Sequence, residues 1–78
     1  MRKFSIHLQS IDDVRRFVTA ACSQTFDIDI TADRYIVDAK SILGLFSLDH
    51  SKPITVEAQA TTEEVQGFYE LVKEFCVD

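Results

Sequence analysis

Two serines, each at the mouth of a short apolar repeat, are the side chains best placed to do chemistry. The first is Ser41, in Val37-Asp38-Ala39-Lys40-Ser41-Ile42-Leu43-Gly44-Leu45-Phe46-Ser47-Leu48. A serine there caps a helix, its hydroxyl accepting a backbone N–H two or three residues on. The same position suits a phosphate, which a helix N-terminus welcomes electrostatically and which Lys40 would adjoin. The residues alone give Ser41 the role of a cap. The second serine is Ser10, followed by Asp12 and Asp13 in the first turn of a helix, where the dipole favours negative charge. Two carboxylates there repel an incoming anion. Arg15 and Arg16 lie a turn further in, either partly offsetting that charge or standing as plain surface residues.

The remaining candidates are weaker. His7 falls on the polar face of a strand, with no acid or cysteine at ligand spacing. Cys22 and Cys76 sit on apolar helical stripes and read as two buried small hydrophobes. A disulfide between them requires the two helices to lie side by side in an oxidising compartment. Neither belongs to a CxxC pair or a Cys/His cluster, so no zinc or other metal site is expected. Asp27, Asp29 and Asp33 offer no third ligand at a diagnostic spacing. Glu63, Glu64, Glu70 and Glu74 read as a solvated helix face. No Ser/His/Asp arrangement, phosphate loop or dinucleotide fingerprint occurs. The expectation is therefore a protein that is not an enzyme and takes no cofactor.

The elements that position these residues follow from periodicity. Phe4, Ile6 and Leu8 alternate with polar residues, predicting a strand over Lys3 to Gln9. Ser10 starts a helix with an apolar stripe of Ile11, Val14, Phe17, Val18, Ala21 and Cys22, ending near Ser23 or Gln24. Phe26, Ile28 and Ile30 alternate in a second strand. Ala32-Asp33-Arg34 makes a turn without glycine, and Tyr35 to Asp38 returns as the other arm of a hairpin. Ser41 to Leu48 forms a short helix. Its Ile42, Leu45 and Phe46 recur at helical spacing with Leu43 beside them, too many apolar side chains for one or two turns to bury, so part of this patch is expected to face solvent or a partner. Asp49 to Pro53 is a loop. Ile54, Val56 and Ala58 mark a last strand. Thr61 and Glu64 form a capping box before a helix whose stripe, Val65, Phe68, Tyr69, Val72, Phe75 and Cys76, runs to the C-terminus. Gly67 costs a little helix propensity and leaves room for a close approach by a neighbour.

The order is β-α-β-β-α-β-α. Amphipathic strands and helices in that order predict an α+β domain of two layers, a four-stranded antiparallel sheet covered on one face. The 78 residues make a single domain, 1–78, and the net charge is −5. That charge argues against nucleic acid and against an anionic membrane surface as partners. No run reaches the length of a membrane span and no signal-peptide pattern opens the chain, so a cytoplasmic protein is expected.

The stretch from Val37 to Leu48 also resembles the regulatory-serine segment of HPr, the small phosphocarrier of the bacterial sugar phosphotransferase system. There too the serine stands between an Ala-Lys and an Ile-x-Gly-x-x-Ser-Leu, and the order of elements matches along nearly the whole chain. The resemblance implies the open-faced β-sandwich, with the first and last helices on the sheet and the middle one at its edge. It implies that Ile42, Leu43 and Phe46 match the family's docking patch for protein partners; the same residues could also drive a homodimer. It implies that Ser41 matches the serine that a dedicated HPr kinase phosphorylates in Gram-positive bacteria. The family's carrier histidine, in a Gly-x-His-x-Arg-Pro-type sequence, falls on Ser10, with Asp12 and Asp13 in place of the arginine and proline. Three functions follow. One is an HPr-like non-carrier that regulates sugar transport or catabolite repression by docking. Another is an active phosphocarrier using His7 or an unexpected residue. The third is the same fold in an unrelated structural role.

Overall fold

The computed structural model describes residues 2–77. Five strands form one sheet: β1 (Lys3–Ile6), β2 (Ile28–Ala32), β3 (Tyr35–Asp38), β4 (Ile54–Ala58) and β5 (Cys76–Val77). Their order across the sheet is β3-β2-β4-β1-β5, and every neighbouring pair is antiparallel. Three α-helices complete the fold, α1 (Ile11–Cys22), α2 (Ile42–Phe46) and α3 (Thr62–Val72). This is the two-layer α+β fold expected from the residue pattern, in the open-faced form that the resemblance implies.

Alternation sets which face of the sheet is covered. Ile28 and Ile30 on β2, and Ile54, Val56 and Ala58 on β4, are buried, while their odd neighbours are more exposed. They pack with Val14, Phe17, Val18 and Ala21 of α1 and with Val65, Phe68 and Val72 of α3 in one core. Phe68 sits at its centre, its ring 5.9 Å from that of Phe17 and 6.2 Å from that of Phe4. The capping box of α3 forms as expected: Thr61 Oγ1 accepts from Glu64 N, and the Glu64 carboxylate accepts from Thr61 N. The β2–β3 turn works without glycine because Asp33 takes φ 55°, a left-handed conformation that aspartate tolerates better than most residues.

The C-terminus differs from the expected four strands and unbroken last helix. The α3 helix stops at Val72, a 3-10 turn spans Lys73–Phe75, and Cys76–Val77 pair outside β1 as a fifth strand. Phe75 enters the core from that turn. His7 N donates to Phe75 O at 2.8 Å, so the added strand satisfies backbone groups that β1 would otherwise expose as an edge. The first strand also ends early, at Ile6, although Leu8 keeps the alternation and is buried.

Two expectations about small residues need correcting. Cys22 is exposed rather than buried, and Cys76 is half-buried. Cys22 lies at the rim of the α1 stripe, which Val14, Phe17, Val18 and Ala21 centre, and its thiol points to Lys40 O at 3.6 Å. Gly67 has nothing within 4 Å of where a Cβ would stand, so no neighbour approaches it.

Candidate functional site

The amino end of α1 is closed by the chain's own side chains. Ser10 Oγ accepts from Asp13 N at 3.1 Å, and the Asp13 carboxylate accepts from Gln9 N at 3.0 Å. One residue thus caps the helix while the other reaches back, so two orphan donors are satisfied together. Arg16 then ties the turn down. Its guanidinium donates to Asp12 at 3.0 Å, to Asp13 at 2.9 Å and to Glu74 at 2.7 Å, and its carbon lies 5.1 Å from the centre of the Phe75 ring. The hydrogen bond from Gln9 N, aided by Arg16 and Ser10, holds the Asp13 carboxyl below its ordinary pKa. The hydrogen bond to Glu74 raises that of Arg16. Of the donors near this helix start, Gln9 N and the Arg16 guanidinium are therefore held by carboxylates, and Asp13 N by the Ser10 hydroxyl. Arg16 is committed, and Arg15 forms no ion pair among the described residues.

Neither imidazole occupies the carrier position. His7 is half-buried, not plainly solvated, and its Nε2 donates to His50 O at 3.1 Å, which turns it toward the 49–53 loop. His50 does come near the helix start, lining a cleft with Ser10. Its Nε2, however, lies 2.6 Å from Leu45 O at the end of α2 and must carry the proton there. The other ring nitrogen, Nδ1, is buried without a hydrogen-bond partner. One nitrogen is tied to backbone and the other is out of reach of an incoming phosphoryl donor.

Ser41 caps α2. Its Oγ accepts from Gly44 N at 3.1 Å, and Ser41 itself is half-buried. Gly44 keeps this turn tight, since a Cβ there would stand 3.3 Å from Ser41 Oγ and 3.4 Å from Val37 Cβ. The Lys40 ammonium does not face Ser41; it donates to Gln24 O at 2.9 Å and joins α2 to the end of α1. The helix itself covers only Ile42–Phe46, with Ser47 as its C-cap.

The residues of α2 divide between core and surface. Leu45 is fully buried and anchors the helix, and Ile42 is partly buried against the same core. Leu43 is 80% exposed and Phe46 43% exposed. Ile11, placed by periodicity on the buried stripe of α1, is 69% exposed. Its angle around the helix is right but its axial position is not. As the first residue of α1 its Cβ leans toward the N-terminus, past the end of the covered sheet. Ile11 and Phe46 line a cleft of about 450 Å³ together with Leu8, Ser10, Val14 and His50. The exposed apolar side chains of α2 and of the start of α1 are thus Ile11, Leu43 and Phe46.

The aspartates of the open sheet face stay apart from this region. Asp29 stands opposite Asp38 on one side and Glu57 on the other. Among the described residues no group of three or more His, Cys, Asp or Glu is placed to hold a metal ion. No helix among them is long and apolar enough to cross a membrane.

Comparison of the whole chain with known structures places it in the HPr fold. It is similar to HPr-C-His of Thermoanaerobacter tengcongensis, with a TM-score of 0.74 at 20% identity over 95% of this chain and 93% of that one. It is similar to the histidine-containing phosphocarrier protein of Mycoplasma, with a TM-score of 0.73 at 18% identity over 92% and 88%. It is also similar to Crh, the catabolite repression protein of Bacillus subtilis, described as a dimer with a swapped domain. There the TM-score is 0.65 at 29% identity over 95% and 88%. No protein-family model matches the sequence, and no curated protein matches it.

Proposed function

We propose that this HPr-like chain is a cytoplasmic, non-enzymatic docking protein that has lost the phosphoryl-carrier step. The observation that carries this reading is a contrast within one small area. A self-closed, carboxylate-filled helix start lies beside an exposed apolar surface of Ile11, Leu43 and Phe46. A carrier needs vacant N–H donors and an accessible imidazole at that helix start. A docking protein needs only the apolar surface. Its partners are proteins of the phosphotransferase system or of catabolite repression, in keeping with the likeness to the phosphocarriers and to Crh.

Ser41 is the proposed point of control. Phosphorylation would place a dianion at the amino end of α2, next to Leu43 on the docking helix, and so change what that surface accepts. Incubation with HPr kinase and ATP is expected to label the protein, and Ser41→Ala is expected to abolish the label. An unlabelled wild type would reduce Ser41 to a helix cap and leave docking without this switch.

The docking surface is tested by two neighbouring substitutions. Phe46→Asp is expected to leave stability within about 1 kcal/mol of wild type, since surface changes seldom cost more. It should also abolish the set of proteins retained in a pull-down. Leu45→Ala is expected to cost about 2–5 kcal/mol, because it empties a filled core site. A retained set that ignores Phe46→Asp would favour the HPr fold in an unrelated structural role.

A further inference from the structure

Both histidines belong to one run of hydrogen bonds that ends on α2. His7, just past β1, donates from Nε2 to His50 O at 3.1 Å. His50 in turn donates from Nε2 to Leu45 O at 2.6 Å, one residue before the end of α2. The run thus ties the end of β1 to the 49–53 loop, and that loop back to α2. The second nitrogen of His50, Nδ1, is enclosed and has no hydrogen-bond partner among the described residues. With the proton on Nε2, Nδ1 is a bare lone pair in the neutral ring. An unbonded acceptor costs its desolvation, and an unbonded N–H on a buried cation costs more. The charged groups around the ring are all engaged elsewhere. On its own loop, the exposed Asp49 accepts from Ser51 N and Oγ, and Lys52 pairs with Asp33. From the end of β1, His7 presents a donor, and α2 holds no titratable residue. At the start of α1, Asp13 is held by Gln9 N and Arg16. On β4, Glu57 pairs with Lys3.

We propose that this run is a proton-operated latch: with His50 neutral it holds the 49–53 loop and the end of α2 closed, and it opens when His50 takes up a proton. No covalent bond between heavy atoms changes; one proton passes from solvent to Nδ1. It creates an N–H that the closed arrangement cannot satisfy, so the ring must leave its enclosure. Outside, the imidazolium meets water and the ionised Asp49. That carboxyl is held below its ordinary pKa by the Ser51 hydrogen bonds first, then by the charges of Lys52 and His50. His7 is passive, because its Nε2–H is present in both the neutral tautomer used here and the cation. Opening takes one hydrogen bond from Leu45 O and removes His50 from the cleft that it lines with Phe46 and Ile11. Acid therefore alters the apolar surface at that cleft. Its effect on partners rests on the docking reading; the latch itself does not.

Nitrogen NMR of the full chain, free of partners, reads the latch directly. The titration runs from about pH 8 to about pH 5, across the ordinary range of histidine and above that of most carboxylates. At the upper end His50 should show a protonated Nε2 and a bare Nδ1. As the ring takes up its proton, the amide signals of residues 45–51 should move with the same midpoint, while those of β2 and α3 stay in place. Below about pH 6.5 the open population should rise by up to about tenfold per pH unit, the dependence of a single proton. His50→Gln, whose amide can donate to Leu45 O and takes up no proton in this range, should keep the loop closed and abolish the movement. His7→Gln should retain it. Should His50→Gln fail to fold, the wild-type titration decides alone. A His50 ring that protonates while residues 45–51 stay fixed overturns the proposal. So does a loop that does not move anywhere in the range, and so does a movement that survives in His50→Gln. A fixed loop leaves the docking reading standing, and a pull-down that ignores Phe46→Asp leaves the latch standing.

Discussion

Asp13 shows how one side chain decides what a helix terminus can do. It accepts from Gln9 N, receives Arg16, and donates its own N–H to Ser10. The hydrogen bond its carboxylate accepts from Gln9 N, with Arg16 and Ser10 adding to it, favours the charged form and lowers its pKa. A carboxyl whose folded pKa lies below the unfolded value adds stability above the unfolded value, and loses it as pH falls through the folded one. The unfolded reference is about 3.9. Melting temperature measured from about pH 6 down to about pH 2 should therefore separate wild type from Asp13→Asn at the upper end. The two curves should converge as the acid end is reached. A gap that stays constant with pH would mean the carboxylate's charge plays no part in the cap. Ser10 at this position is legible in the sequence as a cap, and Asp12 and Asp13 as first-turn acids. The clamp is not, because Glu74 lies 58 residues from Arg16 and no local pattern joins them.

Among the elements, the strongly periodic ones were readable, as were the short β3 and α2, but β5 was not. Alternation over Phe26, Ile28 and Ile30 and over Ile54, Val56 and Ala58 matches β2 and β4, and the stripes of α1 and α3 match their buried faces. The strand β5 has two residues and no period of its own, and Phe75 and Cys76 continue the helical spacing of α3, so the break at Val72 left no local mark. Angular position also says nothing of axial position, which is why Ile11 and Cys22, at opposite ends of α1, both turned out exposed. The α3 helix offers a direct test of local propensity. Gly67 lies within it with open space where a Cβ would be. Gly67→Ala is expected to stabilise the protein by about 0.4–1 kcal/mol, read as a higher midpoint in urea. A destabilised variant would show that some neighbour does approach the backbone there.

At the scale of the whole molecule, the sheet presents separate faces to separate tasks. One face and two helices build the core around Phe68, and α2 sits where β3 leaves the sheet, anchored by Leu45 with Leu43 and Phe46 outward. The fold is that of the phosphocarriers, yet fold alone does not carry an activity; the site does. The proposed reading turns on a contrast in the site: Leu43 and Phe46 stand exposed on α2, while Asp12 and Asp13 hold Arg16 and Gln9 N at the start of α1. The most direct test is phosphoryl transfer itself. The chain is incubated with phosphoenolpyruvate and the general transferase of the system, beside an authentic phosphocarrier, and intact mass is read before and after. The expected result is a modified control and an unmodified chain. A phosphohistidine at His7 or His50 would contradict the loss of the carrier step.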